Sequence, residues 1–98
     1  MAQFDVVRLA SGAMVVDCQA DCFADLGTRL VAPLLPVDRA PPRRPRLNPV
    51  FALDTGDFVM VTQFATTVPL SEFADPIASL EAEYLTVISA LDMLITGV

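Results

Sequence analysis

The chain has 98 residues, is 54% apolar and carries a net charge of −6, with six arginines, no lysine and no histidine. This length suits one domain with a modest core, so the apolar fraction is high for the size. The acidic balance argues against a general nucleic-acid binder, because Lys and Arg supply most phosphate contacts. No apolar run reaches the roughly 18 residues of a membrane helix, and the first residues lack the positive charge of a signal peptide. We therefore expect a cytoplasmic protein whose surplus apolar surface is buried in a two-fold homodimer.

Five strands are predicted in the first two thirds of the chain. Residues 4–9 and 13–18 form a hairpin around the turn Ser11-Gly12. Residues 30–35 form a central strand. Residues 50–53 and 58–62 form a second hairpin, because Asp54-Thr55-Gly56-Asp57 between them is a strong turn signal.

The segment between the second and third strands is predicted to be irregular. Residues 19–27 show no sustained apolar period, and we expect Phe23 and Leu26 to anchor this loop. Cys18 and Cys22 stand four apart, with no histidine and no second cysteine pair to complete a zinc site. They are interpreted as free thiols, buried or half-buried, with a disulfide as the minority alternative in a cytoplasmic chain.

Residues 36–49 form a proline-rich basic segment. They contain five of the eight prolines and four of the six arginines, Arg39, Arg43, Arg44 and Arg46. The segment has a net charge of +3, whereas the remainder of the chain carries −9. It is either a basic loop for an acidic partner or a solvated, semi-rigid loop that interrupts the sheet.

Residues 75–98 are predicted to form a C-terminal amphipathic helix. Asp75 is a suitable N-cap and Pro76 suits the first helical position. Gly97 is a natural helix stop. A further turn is expected over residues 71–74, capped by Ser71. The apolar face recurs at steps of three and four and consists of Ile77, Leu80, Tyr84, Leu85, Ile88, Leu91, Leu94 and Ile95.

No catalytic constellation is visible in the sequence. There is no histidine, no glycine-rich phosphate loop and no nucleophile with an evident base beside it. Glu81 and Glu83 are more simply solvent-facing charges than a paired acid and base. We expect neither an enzyme nor a bound cofactor or metal.

Short segments along nearly the whole chain keep the order and spacing of one protein family. They are residues 3–6 (Gln-Phe-Asp-Val), 16–21 (Val-Asp-Cys-Gln-Ala-Asp), 27–34 (Gly-Thr-Arg-Leu-Val-Ala-Pro-Leu), 48–50 (Asn-Pro-Val), 58–62 (Phe-Val-Met-Val-Thr), 65–69 and the terminal Gly-Val. In these segments the chain resembles the CcdB family of plasmid and chromosomal toxins.

The resemblance implies a fold that is mainly β with α. This is a twisted antiparallel sheet of the SH3-like barrel kind shared by CcdB and MazF toxins, with one C-terminal helix. It also implies a homodimeric toxin of a toxin–antitoxin system, which binds the DNA gyrase A subunit and traps the cleaved-DNA complex. A disordered CcdA-like antitoxin neutralises such toxins. DNA is contacted only through the antitoxin complex, a transcriptional repressor in systems that serve plasmid maintenance.

The resemblance also assigns candidate site residues. Gyrase-binding positions are Cys22, Phe23, Asp92, Ile95, Thr96, Gly97 and Val98, and Thr96 stands where the family has Trp. From the charge of the proline-rich segment, and not from the resemblance, we expect acidic groups of the antitoxin to bind Arg39, Arg43, Arg44 and Arg46.

Two alternatives remain open from the sequence. The replacement of the family's Trp by Thr96 favours a dimeric antitoxin-binding homologue that no longer poisons gyrase or has another target. A barrel-type ribonuclease would instead use arginine and aspartate side chains such as Arg29 and Asp57. The pair Gly97-Val98 has a purely structural explanation as well, since glycine followed by an apolar residue commonly ends a helix.

Overall fold

A computed structural model describes residues 2–98 and shows an antiparallel sheet with one α-helix. The strands are β1 (Asp5–Leu9), β2 (Met14–Asp17), β3 (Thr28–Pro36), β4 (Val50–Leu53), β5 (Gly56–Met60), β6 (Thr66–Pro69) and β7 (Phe73–Ser79). The helix α1 spans Tyr84–Thr96. The sheet curls into a half-barrel, as the mainly β prediction with one terminal helix required.

The nine-residue strand β3 organises the sheet, whose order is β4-β5-β3-β2-β1-β7. One edge of β3 pairs with β2. Its opposite edge is shared, because β6 pairs with residues 28–31 and β5 with residues 34–36. The predicted central strand is therefore confirmed, although it is longer at both ends.

Alternation along the strands builds the core on both faces of the sheet. Val6 and Val16 lie in the larger cluster, against Val87 and Ala90 of α1. Their neighbours Val7 and Val15 point the other way, into a smaller cluster with Val31. This is the period of two expected when side chains of successive strand residues point to opposite faces.

Both predicted hairpins are confirmed by the strand pairing. Val6 pairs with Val16 across β1 and β2. In the second hairpin Leu53 pairs with Gly56, so the turn is only Asp54-Thr55. The strand β5 thus begins earlier than predicted, and it ends at Met60.

The prediction of a helix from Asp75 is wrong. Residues 73–79 form β7, which pairs with β1 through two register irregularities, and Pro76 lies opposite Val7. A proline without an N–H is tolerated on an edge strand, which is the position of β7. The free edge of β1 therefore overrides a local Asp-Pro helix signal. The helix begins at Tyr84, after a 3-10 turn at Glu81–Glu83, and has no side-chain N-cap.

The count of five strands is also too low, because β6 and β7 were not predicted. Between them a 3-10 turn at Leu70–Glu72 begins one residue before the predicted turn and has no side-chain cap, so Ser71 is not its cap. No helix within residues 2–98 has the length and apolarity needed to cross a bilayer.

Candidate functional site

The end of α1 is an exposed, well-defined tip, which we define as residues 95–98. Gly97 adopts a left-handed conformation with φ 78° and donates its amide to the Met93 main-chain oxygen at 2.9 Å. Only glycine takes this conformation without steric cost. The predicted helix stop is thus confirmed.

The Thr96 hydroxyl braces the tip. It donates to the main-chain oxygen of Asp92 at 2.7 Å and lies 3.4 Å from the amide nitrogen of Val98, from which it accepts. The carboxylate of Asp92 takes no part in this contact. The Thr96 side chain therefore stabilises the backbone of the tip, and it is too small to add a large contact surface for a partner.

Two aliphatic side chains dominate the surface of the tip. Ile95 and Val98 are each 80% exposed, more than any other large apolar residue among residues 2–98. Exposed aliphatic residues beside a fixed backbone form a small wedge that another protein can bury. Full burial of such a side chain stabilises a complex by about 1.5–3 kcal/mol.

The proline-rich loop reaches the tip through one arginine. Arg46 Nε donates to Ser89 Oγ at 2.7 Å, and its Nη1 donates to the main-chain oxygen of Val98. The candidate antitoxin site and the candidate gyrase site are thus in contact, which the sequence did not predict.

The four loop arginines have different roles. Arg43 Nε donates to the Asn48 main-chain oxygen at 3.2 Å. Arg43 and Arg46 therefore both make hydrogen bonds within the chain, Arg43 inside the loop and Arg46 to helix α1. The guanidinium groups of Arg39 and Arg44 make no hydrogen bond or ion pair within residues 2–98 and are exposed. These two remain free for an acidic partner.

The segment with Cys22 and Phe23 forms a 3-10 turn, Asp21–Leu26. Phe23 is 52% and Leu26 61% exposed, so the prediction that they anchor this segment is wrong. Gln19 holds it instead, because its side-chain amide donates to the Phe23 and Thr28 main-chain oxygens at 2.9 and 3.0 Å. Its Oε1 accepts from the Leu30 amide at 3.0 Å. Side-chain hydrogen bonds of this kind replace apolar burial and leave Phe23 on the surface.

A buried ion pair supports the same segment from beneath. Arg29 Nη2 lies 2.7 Å from Asp17 Oδ2 and 3.8 Å from Asp21 Oδ1. Asp17 Oδ1 accepts from the Gln19 amide at 3.0 Å. Burial raises the pKa of Asp17, while Arg29 and the Gln19 amide act in the opposite direction.

The two parts of the predicted gyrase site lie apart within the chain. Asp21, next to Cys22, lines a shallow cavity together with Tyr84 at the start of α1. The 13-residue helix is about 20 Å long, and the tip is at its other end. Asp92, Ile95, Thr96, Gly97 and Val98 form one cluster, to which the structure does not bring Cys22 and Phe23.

Comparison with known families decides the class of the protein. The family model described as CcdB protein matches residues 3–97. The chain belongs to the CcdB family. No curated protein matches the chain. Membership makes it a toxin of the CcdB type, from a toxin–antitoxin system.

Two features of this CcdB-family chain bear on the ribonuclease alternative and on the cysteines. Arg29 is 1% exposed and neutralised by Asp17, so it is not available to a substrate.

Both cysteines are free, as expected, but Cys22 is exposed, not buried. Burial, helped by the charge of Asp17, raises the pKa of Cys18 to about 12.

Sequence reasoning missed Asn48, Gln19 and the Asp17–Arg29 pair in this CcdB-family fold. The sequence did contain an indication of the ion pair. Asp17 adjoins the apolar run of β2, and Arg29 adjoins that of β3. Buried charges are normally paired. For Asn48 and Gln19 no periodic or charge signal exists, because most of their partners are main-chain groups and the remaining one, Gln63, is uncharged.

Proposed function

We propose that this CcdB-family toxin binds the A subunit of DNA gyrase through the tip and traps the complex of gyrase with cleaved DNA. The observation that carries the proposal is the pair of exposed aliphatic side chains, Ile95 and Val98, on a turn whose backbone is already ordered. A preorganised wedge loses little conformational entropy on binding. Family membership supplies the class of toxin.

The proposed toxin acts by binding as a cytoplasmic homodimer, not as an enzyme. Its wedge is aliphatic, since Thr96 stands where the family has Trp. An aliphatic wedge gains affinity from buried apolar area alone, whereas an aromatic ring adds stacking on a cation. We therefore expect weaker gyrase binding than an aromatic tip would give.

We also propose that an acidic, disordered antitoxin segment neutralises the toxin at the proline-rich loop. Arg39 and Arg44 are the exposed guanidinium groups there, whereas Arg43 and Arg46 make contacts within the chain. DNA would be contacted only by the antitoxin in a complex of the two proteins. The net charge of −6 supports this division, because the toxin itself repels phosphate.

Purified protein in gyrase supercoiling and DNA-cleavage assays tests the proposed target. We expect cleavage complexes with the natural chain and none with a variant that lacks residues 96–98. Ile95→Ala removes half of the aliphatic wedge and should weaken inhibition about tenfold or more. Ile77→Ala is the matched control, because it truncates an exposed isoleucine on β7 and should leave inhibition unchanged.

The variant Thr96→Trp separates the alternatives. Cleavage by this variant but not by the natural chain would favour an antitoxin-binding homologue that has lost gyrase. Cleavage by neither would overturn gyrase as the target. Equal inhibition by Ile95→Ala and the natural chain would show that the tip is not the binding surface.

A further inference from the structure

Arg46 links the proline-rich loop to helix α1 at two points. Its Nε donates to Ser89 Oγ at 2.7 Å, and its Nη1 donates to the Val98 main-chain oxygen. Ser89 lies within the helix and Val98 lies beyond its end. One guanidinium thus spans the last two turns of α1 and ties Val98 to them.

This contact is needed because the tip has few other anchors. Beyond Thr96 two hydrogen bonds hold the backbone. The Gly97 amide donates to the Met93 main-chain oxygen, and the Val98 amide donates to Thr96 Oγ1 over a longer distance. Residues beyond the end of a helix that make few contacts are poorly ordered unless something ties them down. With Val98 80% exposed, apolar packing does not hold it in place.

The chemistry of arginine suits this task. A planar guanidinium presents several N–H donors in fixed directions, so it can bind a hydroxyl and a carbonyl oxygen at once. A lysine carries all three of its N–H donors on one nitrogen, whereas the two acceptors here are contacted from two separate guanidinium nitrogens. The proline-rich loop restricts the backbone that carries Arg46, since Pro45 and Pro49 flank it.

We propose that Arg46 is a positioning residue for the tip. It holds Val98 against the end of α1 and so sets the direction in which the aliphatic side chains of the tip are presented. What the wedge contacts rests on the proposed function, but the positioning itself can be measured without gyrase.

Backbone ¹⁵N relaxation of the full chain tests the positioning. In the natural protein we expect heteronuclear NOE values for Gly97 and Val98 close to those within α1. In Arg46→Ala they should fall sharply, while the values for Ala90 and Leu91 stay unchanged. Arg46→Lys should give an intermediate fall, because it retains one contact.

Arg8→Ala is the matched control. Arg8 is an exposed arginine with one main-chain contact, to Gly12 at 3.0 Å, in the first hairpin. Its removal makes the same change in net charge and should not move the tip. Tip residues that are equally mobile in the natural protein and in Arg46→Ala would overturn the proposal, as would an equal effect of Arg8→Ala.

Gyrase affinity of the same variants separates this inference from the proposed function. Arg46→Ala should bind gyrase about tenfold more weakly, since ordering the freed residues is then required on binding. Arg8→Ala should bind as the natural protein does. An ordered tip with no gyrase binding would contradict the proposed function and leave the positioning supported. A disordered tip with unchanged affinity would overturn the role of Arg46 in presenting the wedge.

Discussion

At the scale of single residues, Asp17 and Arg29 form a buried ion pair in the fold. Both side chains are almost completely buried, at 0% and 1% exposure. Replacing such a pair as a whole can be neutral, but removing one partner leaves an uncompensated buried charge. The pair supports the turn that exposes Cys22 and Phe23, so its loss should also make that turn less ordered.

Asp17→Asn is therefore expected to lower the free energy of unfolding by about 3–5 kcal/mol. The physical reason is that Arg29 stays charged and buried, with only the exposed carboxylate of Asp21, 3.8 Å away, to offset its charge. Urea unfolding followed by circular dichroism measures this loss. Asp57→Asn, at an exposed position on β5, is the control and should change stability by no more than about 0.5 kcal/mol. Equal stability of the two variants would show that the pair is not important for the fold.

The cysteines give a second prediction at this scale. Only thiolate reacts with a disulfide reagent, and Cys18 is buried with a pKa raised to about 12. We expect one rapidly reacting thiol per folded chain near pH 8, and none in Cys22→Ser. The second thiol should react only after unfolding in denaturant. Two fast thiols in the folded natural chain would contradict the buried position of Cys18.

At the scale of elements, the proline-rich loop is tied to the sheet by Asn48. Its Oδ1 accepts from the Arg44 amide at 3.1 Å, and its Nδ2 donates to the Met60 main-chain oxygen at 3.2 Å. Nδ2 also donates to Gln63 Oε1 at 2.8 Å. Asn48 is buried, so these bonds are shielded from water. They keep the start of β4 and the loop together.

Asn48→Ala should reduce the free energy of unfolding by about 1–3 kcal/mol, because it leaves the buried Met60 main-chain oxygen and the part-buried Arg44 amide without their Asn48 partners. Amide hydrogen exchange should rise at Arg44 and at residues near it. Gln63→Ala is a graded control, since it removes only the exposed partner of the same side chain. If both variants lose equal stability, the main-chain bonds of Asn48 contribute little.

At the scale of the whole molecule, many large apolar side chains lie on the surface. Twelve large apolar residues are exposed among residues 2–98, including Leu85, Leu94 and Ile95 on α1. Such surface on a small domain favours association with a second copy. A two-fold interface would bury the same patch from each subunit.

We accordingly expect a dimer with twice the mass of the 10.5 kDa chain in light scattering after size exclusion. If folding and association are coupled, the midpoint of thermal unfolding should rise with protein concentration. The measurement is thermal unfolding at a series of protein concentrations that spans about a hundredfold range. A monomer mass together with a constant midpoint would contradict the homodimer.

The sequence by itself determined the parts of this protein that depend on neighbours along the chain. Strands β1 to β5 and their two hairpins follow from alternation and from turn residues such as Ser11-Gly12. The helix stop at Gly97 follows from the conformational freedom of glycine. These signals are short-ranged, so they can be read without knowing the fold. The order and spacing of short segments also indicated the family, which the match over residues 3–97 confirmed.

Tertiary structure alone decided the features that join distant residues. Residues 73–79 became β7 because β1 had a free edge, although Asp75-Pro76 resembles a helix start. Arg29 became buried beside Asp17, and Arg46 reached Val98 across 52 positions of sequence. The physical reason is that such contacts are selected by which edges and surfaces meet once the sheet has closed. No local period or turn signal encodes that choice.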